Sequence, residues 1–452
     1  MTAKSMRPTL FLITALLLAP LSALHAAETP VETDPRLQSD GKGWKLSQAS
    51  IKDPKRPRLL LIGDSILASA APSYDPAKLP KGRDYFELRD GLANCQRKFT
   101  QEKTGRVIFL GGSITAGGAW RQHTCDFLTK KFPDTKFEFI NAGIGSMGSV
   151  PHAFRLERDV LAKGPVDLLF VEAAVNDASN IPQHPDLMLR GMEGVVRHMR
   201  TASPLTDIIQ LHFVMEPHMA DYRAGRVPES VAQHERVAVA YGNPSLNLAR
   251  EVTDRIDAGE FNWADDFKNL HPSPFGHRLY ANSVARMLEA AFAKPLAASM
   301  KPHTLPAMIA ARSYVRGRLG TIAETRIVKG FTLEPAWKPT DKKGTRAGFV
   351  DVPALVGTEP GAEFEFSFNG TAAGLFITAG PDAGRIEHSV DSGAWRTTDT
   401  FTQWSTGLHL PWAVILDDGL KDGQHTVKVR IAAGHDAKGT GTALRVFHQL
   451  LN

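Results

Sequence analysis

The chain has 452 residues, 22% charged and 42% hydrophobic, which is length enough for more than one globular core. Its formal net charge of +5 and pI near 9.1 come without a dense Lys/Arg cluster, so the charge gives no nucleic-acid footprint. Two cysteines are too few for a disulfide framework, and neither has metal-ligand spacing.

Lys4 and Arg7 precede an apolar run over 10–24 that closes on the small residues around Ala26 and Ala27. The pattern reads as a signal peptide over 1–27 and implies a secreted or periplasmic protein. Pro20 interrupts the run, which is too short for stable membrane insertion. Residues 28–83 form an irregular lead-in. Within it the apolar run 59–62 ends in Gly63-Asp64-Ser65, a first serine candidate, followed by Pro72, Pro76 and Pro80.

Residues 84–104 carry a mixed helical pattern, and Val107 to Leu110 then reads as a strand buried on both faces. Gly111 and Gly112 stop it, and Ser113 follows. That serine is either a nucleophile at a strand end or the N-cap of a turn. A helix over 120–131 closes at Pro133. A strand over 137–140 ends in Asn141-Ala-Gly-Ile-Gly145, and a helix covers 150–162. A strand over 166–171 ends in Glu172-Ala-Ala-Val-Asn176-Asp177, and Asp177 is expected to cap a helix or fix the loop. A helix over 187–202, a strand over 207–215 and helices over 230–241 and 246–258 complete the alternation. On this reading Glu216 and His218 lie near the crevice, and His234 and Glu235 sit on a solvated helix face. Alternating strands and helices predict a parallel sheet covered on both faces, with the ligand crevice beyond the strands' carboxyl ends. Ser113, Gly145 and Asn176 each follow such an end. His271 stands on a loop punctuated by Pro272 and Pro274, and His277 in the first turn of a helix over 279–292.

These elements set a domain over 84–300, with 301–340 as linker and start of a second domain. Helical patterns run to Thr321. Short alternating runs then dominate, separated by turns such as Asp391-Ser-Gly393 and Asp422-Gly423. They predict an all-β sandwich, jelly-roll-like, over 341–452. Asn369-Gly370-Thr371 reads as a hairpin tip. Trp395, Trp404 and Trp412 serve either as a sugar-stacking platform or as sandwich core. Cys95 and Cys125 flank the Gly-Gly-Ser stretch, and in an exported chain they either pair or stay free.

Acyl transfer needs a nucleophile, a base and donors for the developing oxyanion. Ser113 offers the hydroxyl and His271 the imidazole. The N–H of Ser113, the N–H of Gly145 and the Asn176 amide offer the donors. Gly111-Gly-Ser113, Asn141-Ala-Gly-Ile-Gly145, Val175-Asn176-Asp177 and His271-Pro, in that order over about 84–295, resemble the blocks of the SGNH (GDSL-like) hydrolases. The resemblance implies a flavodoxin-like three-layer α/β/α fold and ester hydrolysis without metal or cofactor, with Ser113 as nucleophile and His271 as base. It favours Ser113 over Ser65, because the glycine and asparagine blocks follow Ser113. The family's aspartate, three residues before the histidine, is replaced by Lys268. Asp266 is the tentative substitute, with Asp265 beside it.

The reading that follows is a secreted esterase removing short acyl groups, acetyl first, from poly- or oligosaccharide. The appended sandwich resembles accessory modules of carbohydrate esterases. The alternatives are a lipid or thioester hydrolase of the same fold, and a glycan-binding or cell-surface protein with a degenerate hydrolase domain.

Overall fold

A computed structural model describes residues 75–80 and 84–452, together with the backbone of 37–39, 44–46, 58–62 and 65–69. The expected signal peptide lies outside the described residues. Six strands form the first sheet: β1 (Phe86–Glu87), β2 (Thr104–Gly111), β3 (Lys136–Gly143), β4 (Leu168–Glu172), β5 (Asp207–Leu211) and β6 (Ser245–Leu246). Their spatial order is β1-β6-β5-β4-β2-β3. β2 to β6 run parallel, and β1 pairs antiparallel with β6 at the edge. The chain leaves β2 for β3 on one side and then crosses to β4 on the other. The strand order therefore reverses beside β2, where open α/β sheets form their crevice.

The helices are α1 (Ala93–Arg97), α2 (Ser113–Gly117), α3 (Ala119–Lys131), α4 (Ser149–Asp159), α5 (Ala174–Asn180), α6 (Pro185–Ala202), α7 (Glu216–Arg223), α8 (Glu229–Ala240), α9 (Leu248–Asp257) and α10 (Pro274–Phe292). Val107, Phe109, Phe170 and Phe213 face one layer, where Trp120 of α3 lies edge-on to Phe109, Phe170 and Phe213 at 5.5, 6.3 and 5.3 Å. Ile108, Leu110, Leu169 and Val171 face the other layer, against α4 and α6. α6 turns Met188, Leu189, Met192, Val195, Val196 and Met199 inward, three or four residues apart. This is the three-layer α/β/α arrangement.

The chain from 293 to 317 forms no helix, contrary to the helical patterns read there; Pro295, Pro302 and Pro306 remove the N–H groups a helix would need. β7 (Arg318–Thr321), β8 (Arg326–Lys329), β9 (Thr332–Trp337), β10 (Val352–Gly357), β11 (Glu363–Gly370), β12 (Ala373–Ala379), β13 (Gly384–Val390), β14 (Arg396–Asp399), β15 (Leu410–Asp417), β16 (Gly423–His435) and β17 (Leu444–Leu451) follow. They make two antiparallel sheets, β9-β10-β17-β12-β15, with β7 also on β17, and β8-β11-β16-β13-β14. Phe364, Phe366 and Phe368 alternate inward on β11.

Every residue of β12 is buried because its sheet is covered twice. Leu375 and Ile377 face the sandwich core, while Phe376, with Phe447 and Trp337, joins the core of the α/β unit. Tyr314 packs its ring 4.9 Å from Phe154 of α4, and Arg190 of α6 pairs with Asp418 at 2.7 Å. The sandwich is thus seated on α4 and α6 through a shared apolar layer.

Two local expectations change. Asn369-Gly370-Thr371 is no hairpin tip: β11 and β12 belong to different sheets, and the turn carries the chain from one to the other. Gly370 has φ +156°, and a Cβ there would lie 2.1 Å from the Asn452 carbonyl oxygen. Cys95 and Cys125 are both free buried thiols. Burial pushes the Cys125 thiol up to about 12, and burial beside Asp207 raises that of Cys95.

Candidate active site

Ser113, Gly145 and Asn176 follow the carboxyl ends of β2, β3 and β4, and all three are half-buried. Ser113 opens α2, with Gly112 extended before it at φ −83°, ψ −150°. The space that a side chain at either preceding glycine would need belongs to the protein itself. A Cβ on Gly111 would meet Thr115 Oγ1 at 2.3 Å, and one on Gly112 would meet Asn176 Oδ1 at 2.0 Å. The glycines therefore admit neighbouring residues rather than only an acyl group.

Polar ties hold the three strand ends in register. Asn141 Nδ2 donates to the Ala116 carbonyl at 2.9 Å, and Asn141 Oδ1 accepts the Gly143 N–H at 2.9 Å. Asn180 Nδ2 donates to the Ser146 carbonyl at 3.0 Å. Arg155, fully buried, donates to the Ala142 carbonyl at 2.7 Å and the Gly111 carbonyl at 3.4 Å. Glu172 lies buried beneath, accepting backbone N–H groups that include Val175 at 3.3 Å and Gly112. Burial raises its pKa to about 8.

The late loop brings the imidazole over. Lys268 takes φ +89°, turning the chain after the short helical turn Trp263–Phe267. The His271 N–H donates to Asn269 Oδ1 at 2.8 Å. Pro272 is buried, and Ser273 caps α10 by accepting the Gly276 N–H at 3.3 Å. The outcome is a separation of 2.7 Å between Ser113 Oγ and His271 Nε2. A hydroxyl at that distance can pass its proton to a neutral imidazole.

No carboxylate among the described residues hydrogen-bonds to the His271 ring. Asp266 is buried, and its Oδ2 accepts the Asn262 N–H at 2.8 Å, so its carboxylate is directed to its own loop. What stands beside His271 is cationic. Partial burial, then the Arg346 guanidinium and the Lys268 ammonium, hold the imidazole below its ordinary pKa. Arg346 comes from the sandwich, on the segment between β9 and β10. Its Nε and Nη2 donate to Ser146 Oγ at 3.3 and 3.1 Å, and its Nε lies 3.0 Å from where a Cβ on Gly145 would be. No local motif marks Arg346, because its site partners lie 200 residues earlier in the chain.

A lowered imidazole pKa has a definite consequence. The neutral, base-competent form persists as the pH falls, so the acid limb of kcat/KM on a neutral acetate ester is expected below about pH 6.5. Arg346→Gln removes a neighbouring cation and should move that limb upward. A wild-type limb at pH 7 or above would contradict this account.

The other residues read as candidates resolve into structure. His234 is buried rather than solvated: its Nε2 meets Asp177 Oδ2 at 2.9 Å, while Asp177 Oδ1 accepts the Ser149 N–H at 2.8 Å. Glu235 pairs with Arg89 at 2.6 Å and His212 at 2.7 Å. The strand before Glu216 ends at Leu211, and His218 turns inward to the Phe213 carbonyl at 3.1 Å, with burial lowering its pKa to about 4. Ser65 opens the second strand of an antiparallel pair, opposite Ile62, outside the parallel sheet. No group of His, Cys, Asp and Glu placed to hold a metal occurs among the described residues. No helix among them is long and apolar enough to cross a membrane.

A cleft of about 590 Å³ runs between the α/β unit and the sandwich. Ser146, Asn180 and His184 line one wall, and Phe401, Gln403 and Trp412 the other. Gln403 Nε2 donates across it to the Ser179 carbonyl at 2.7 Å. Trp412 therefore borders the cleft, whereas Trp404 is exposed and Trp395 carries the Arg430 guanidinium over its ring at 4.1 Å.

Residues 109–279 match the GDSL-like lipase/acylhydrolase family. The chain carries a GDSL-like acylhydrolase domain. Around it, the whole architecture resembles a two-domain esterase active on acetylated mannans, seen in two crystal structures, one of them co-crystallised with mannopentaose. The TM-scores are 0.63 and 0.64 at 20% identity, covering 81% of this chain and 97% of that one. At that identity the likeness establishes the two-domain fold. No curated protein matches the chain in sequence.

Proposed function

We propose that this acylhydrolase is a secreted serine esterase that removes acetyl groups from carbohydrate through an acyl-Ser113 intermediate. The 2.7 Å approach of His271 Nε2 to Ser113 Oγ, beyond three strand ends of the parallel sheet, carries the reading. Ser113 Oγ attacks the ester carbonyl as its proton passes to His271. The N–H groups of Ser113 and Gly145 and the Asn176 amide donate to the oxyanion. The sugar hydroxyl leaves with the proton from His271, and a water activated by the same ring releases acetate and restores the serine.

Carbohydrate is favoured by Trp412, whose ring suits a sugar face, in a cleft that mixes polar groups with apolar ones and reaches Ser146 and Asp177 beside Gly145 and Asn176. The similarly built two-domain esterase acts on acetylated mannans, which favours an acetylated poly- or oligosaccharide here. Export follows from the reading of 1–27. The test is hydrolysis of p-nitrophenyl esters of increasing chain length, together with acetate release from acetylated polysaccharides. Acetate esters should be turned over at least ~10-fold faster than long-chain esters, because burying extra methylenes needs an apolar channel. A preference for long chains would make the protein a lipid hydrolase. No turnover of any ester would leave a glycan-binding protein with a degenerate site.

A further inference from the structure

Two cations, Arg346 and Lys268, stand beside His271. Arg326, Arg385, Arg396, Arg430 and Arg445 of the same sandwich each pair with a carboxylate. Arg346 is half-buried, yet among the described residues its hydrogen bonds go to a neutral hydroxyl, Ser146 Oγ. A guanidinium has five N–H donors in a planar fork suited to a carboxylate, and two directed at one hydroxyl leave most of the fork unspent. Lys268, exposed and on the loop of His271, likewise makes no ion pair among the described residues.

The nearby acids do not neutralise them. Glu172 is pushed up to about 8 by burial, so it is largely uncharged at neutral pH. Asp177 is committed to the Ser149 N–H and His234. Asp266 is turned to the Asn262 N–H. The mouth of the crevice is therefore positive, and one of its cations stands against the glycine proposed for the oxyanion hole.

We infer that the acylated sugar is acidic, and that Arg346, assisted by Lys268, binds a carboxylate of the glycan beside the scissile ester. The inference rests on the esterase reading and narrows its substrate to acetylated uronic-acid glycans. It gives the sandwich a definite part in selection, since Arg346 is delivered by that unit while the reacting groups come from the α/β unit. A bound carboxylate also offsets the two cations near His271, so the imidazolium formed during attack becomes less costly. Acidic substrates should therefore gain in kcat as well as in KM.

The decisive comparison is an O-acetylated uronic-acid oligosaccharide against its carboxyl-reduced counterpart with the same acetyl groups. The wild-type protein should favour the acidic substrate by about 10-fold or more in kcat/KM, a preference that shrinks as salt is added. Arg346→Gln should bring the ratio close to parity, and Lys268→Gln should lower it less. Binding of both oligosaccharides to the Ser113→Ala protein, read by calorimetry, should show the same preference without turnover. Equal wild-type rates on the two substrates overturn the inference while leaving the esterase reading intact. So does an Arg346→Gln protein that slows both substrates equally, which would assign the guanidinium to the oxyanion. Failure to hydrolyse even p-nitrophenyl acetate removes the esterase reading and this inference with it.

Discussion

Ser113→Ala is expected to lower kcat/KM on p-nitrophenyl acetate by on the order of 10,000-fold or more, with no loss of fold. The size follows from the proposed role: without Oγ no acyl-enzyme would form, and water would have to attack directly with only the proposed oxyanion donors helping. Stability should change little, because Ser113 is half-buried at the start of α2 and its hydroxyl bonds to the His271 ring. His271→Ala should cost a similar factor, and the double variant no more than either alone, since the two groups act as a unit. Ser65→Ala, at the start of a hairpin strand outside the parallel sheet, should keep wild-type activity. A Ser113→Ala protein retaining more than about 1% of the rate would remove Ser113 as nucleophile.

The bare imidazole bears on the absolute rate. In a triad the buried carboxylate fixes the tautomer and stabilises the imidazolium, and its loss can cost about 10⁴-fold. Here Asn269 fixes the backbone of His271 while nothing anionic among the described residues balances its charge. The ring is available as a base over a wide pH range but is penalised on protonation. On the inference drawn above, the substrate brings that negative charge with it, which would tie the lack of an acid on His271 to Arg346, a guanidinium with no ion pair among the described residues.

Much of the scaffold was legible because burial writes itself into local pattern. Val107 to Leu110 is a continuous apolar run since both faces of β2 are covered, and the three site residues follow strand ends that could be read one by one. α6 shows its buried face at helical spacing. What was not legible depends on pairs far apart in the chain. The charged-looking segment around His234 is buried because Asp177, 57 residues earlier, accepts its Nε2. The turn at Asn369-Gly370 has hairpin chemistry, but the next strand joins the other sheet, and Gly370 passes the Asn452 carbonyl more closely than a Cβ would allow. Lys268 announced that the usual acid was absent; that Asp266 would not replace it depended on where its carboxylate points. Arg346 had no sequence signal at all.

Gly112→Ala tests the geometry rather than the chemistry of the site, and its effect should nearly match the loss of an oxyanion donor. The added Cβ would stand 2.0 Å from Asn176 Oδ1 and 3.4 Å from the Met147 carbonyl oxygen. The contact with the carbonyl is an ordinary one, so it is the overlapped carboxamide that must yield. Displacing it takes away one of the donors proposed for the oxyanion, which is expected to lower kcat by ~100- to 1000-fold with KM little changed. Overpacking should also cost about 1–3 kcal/mol of stability. Asn176→Ala alone should lose a similar factor in kcat, for the same missing donor. The two changes together are the sharper measurement. Once Asn176 is an alanine the space beside residue 112 is open, and Gly112→Ala should then add little further loss. Strict additivity of the two defects would mean that Gly112 acts through the backbone leading to Ser113 instead of through the carboxamide it accommodates.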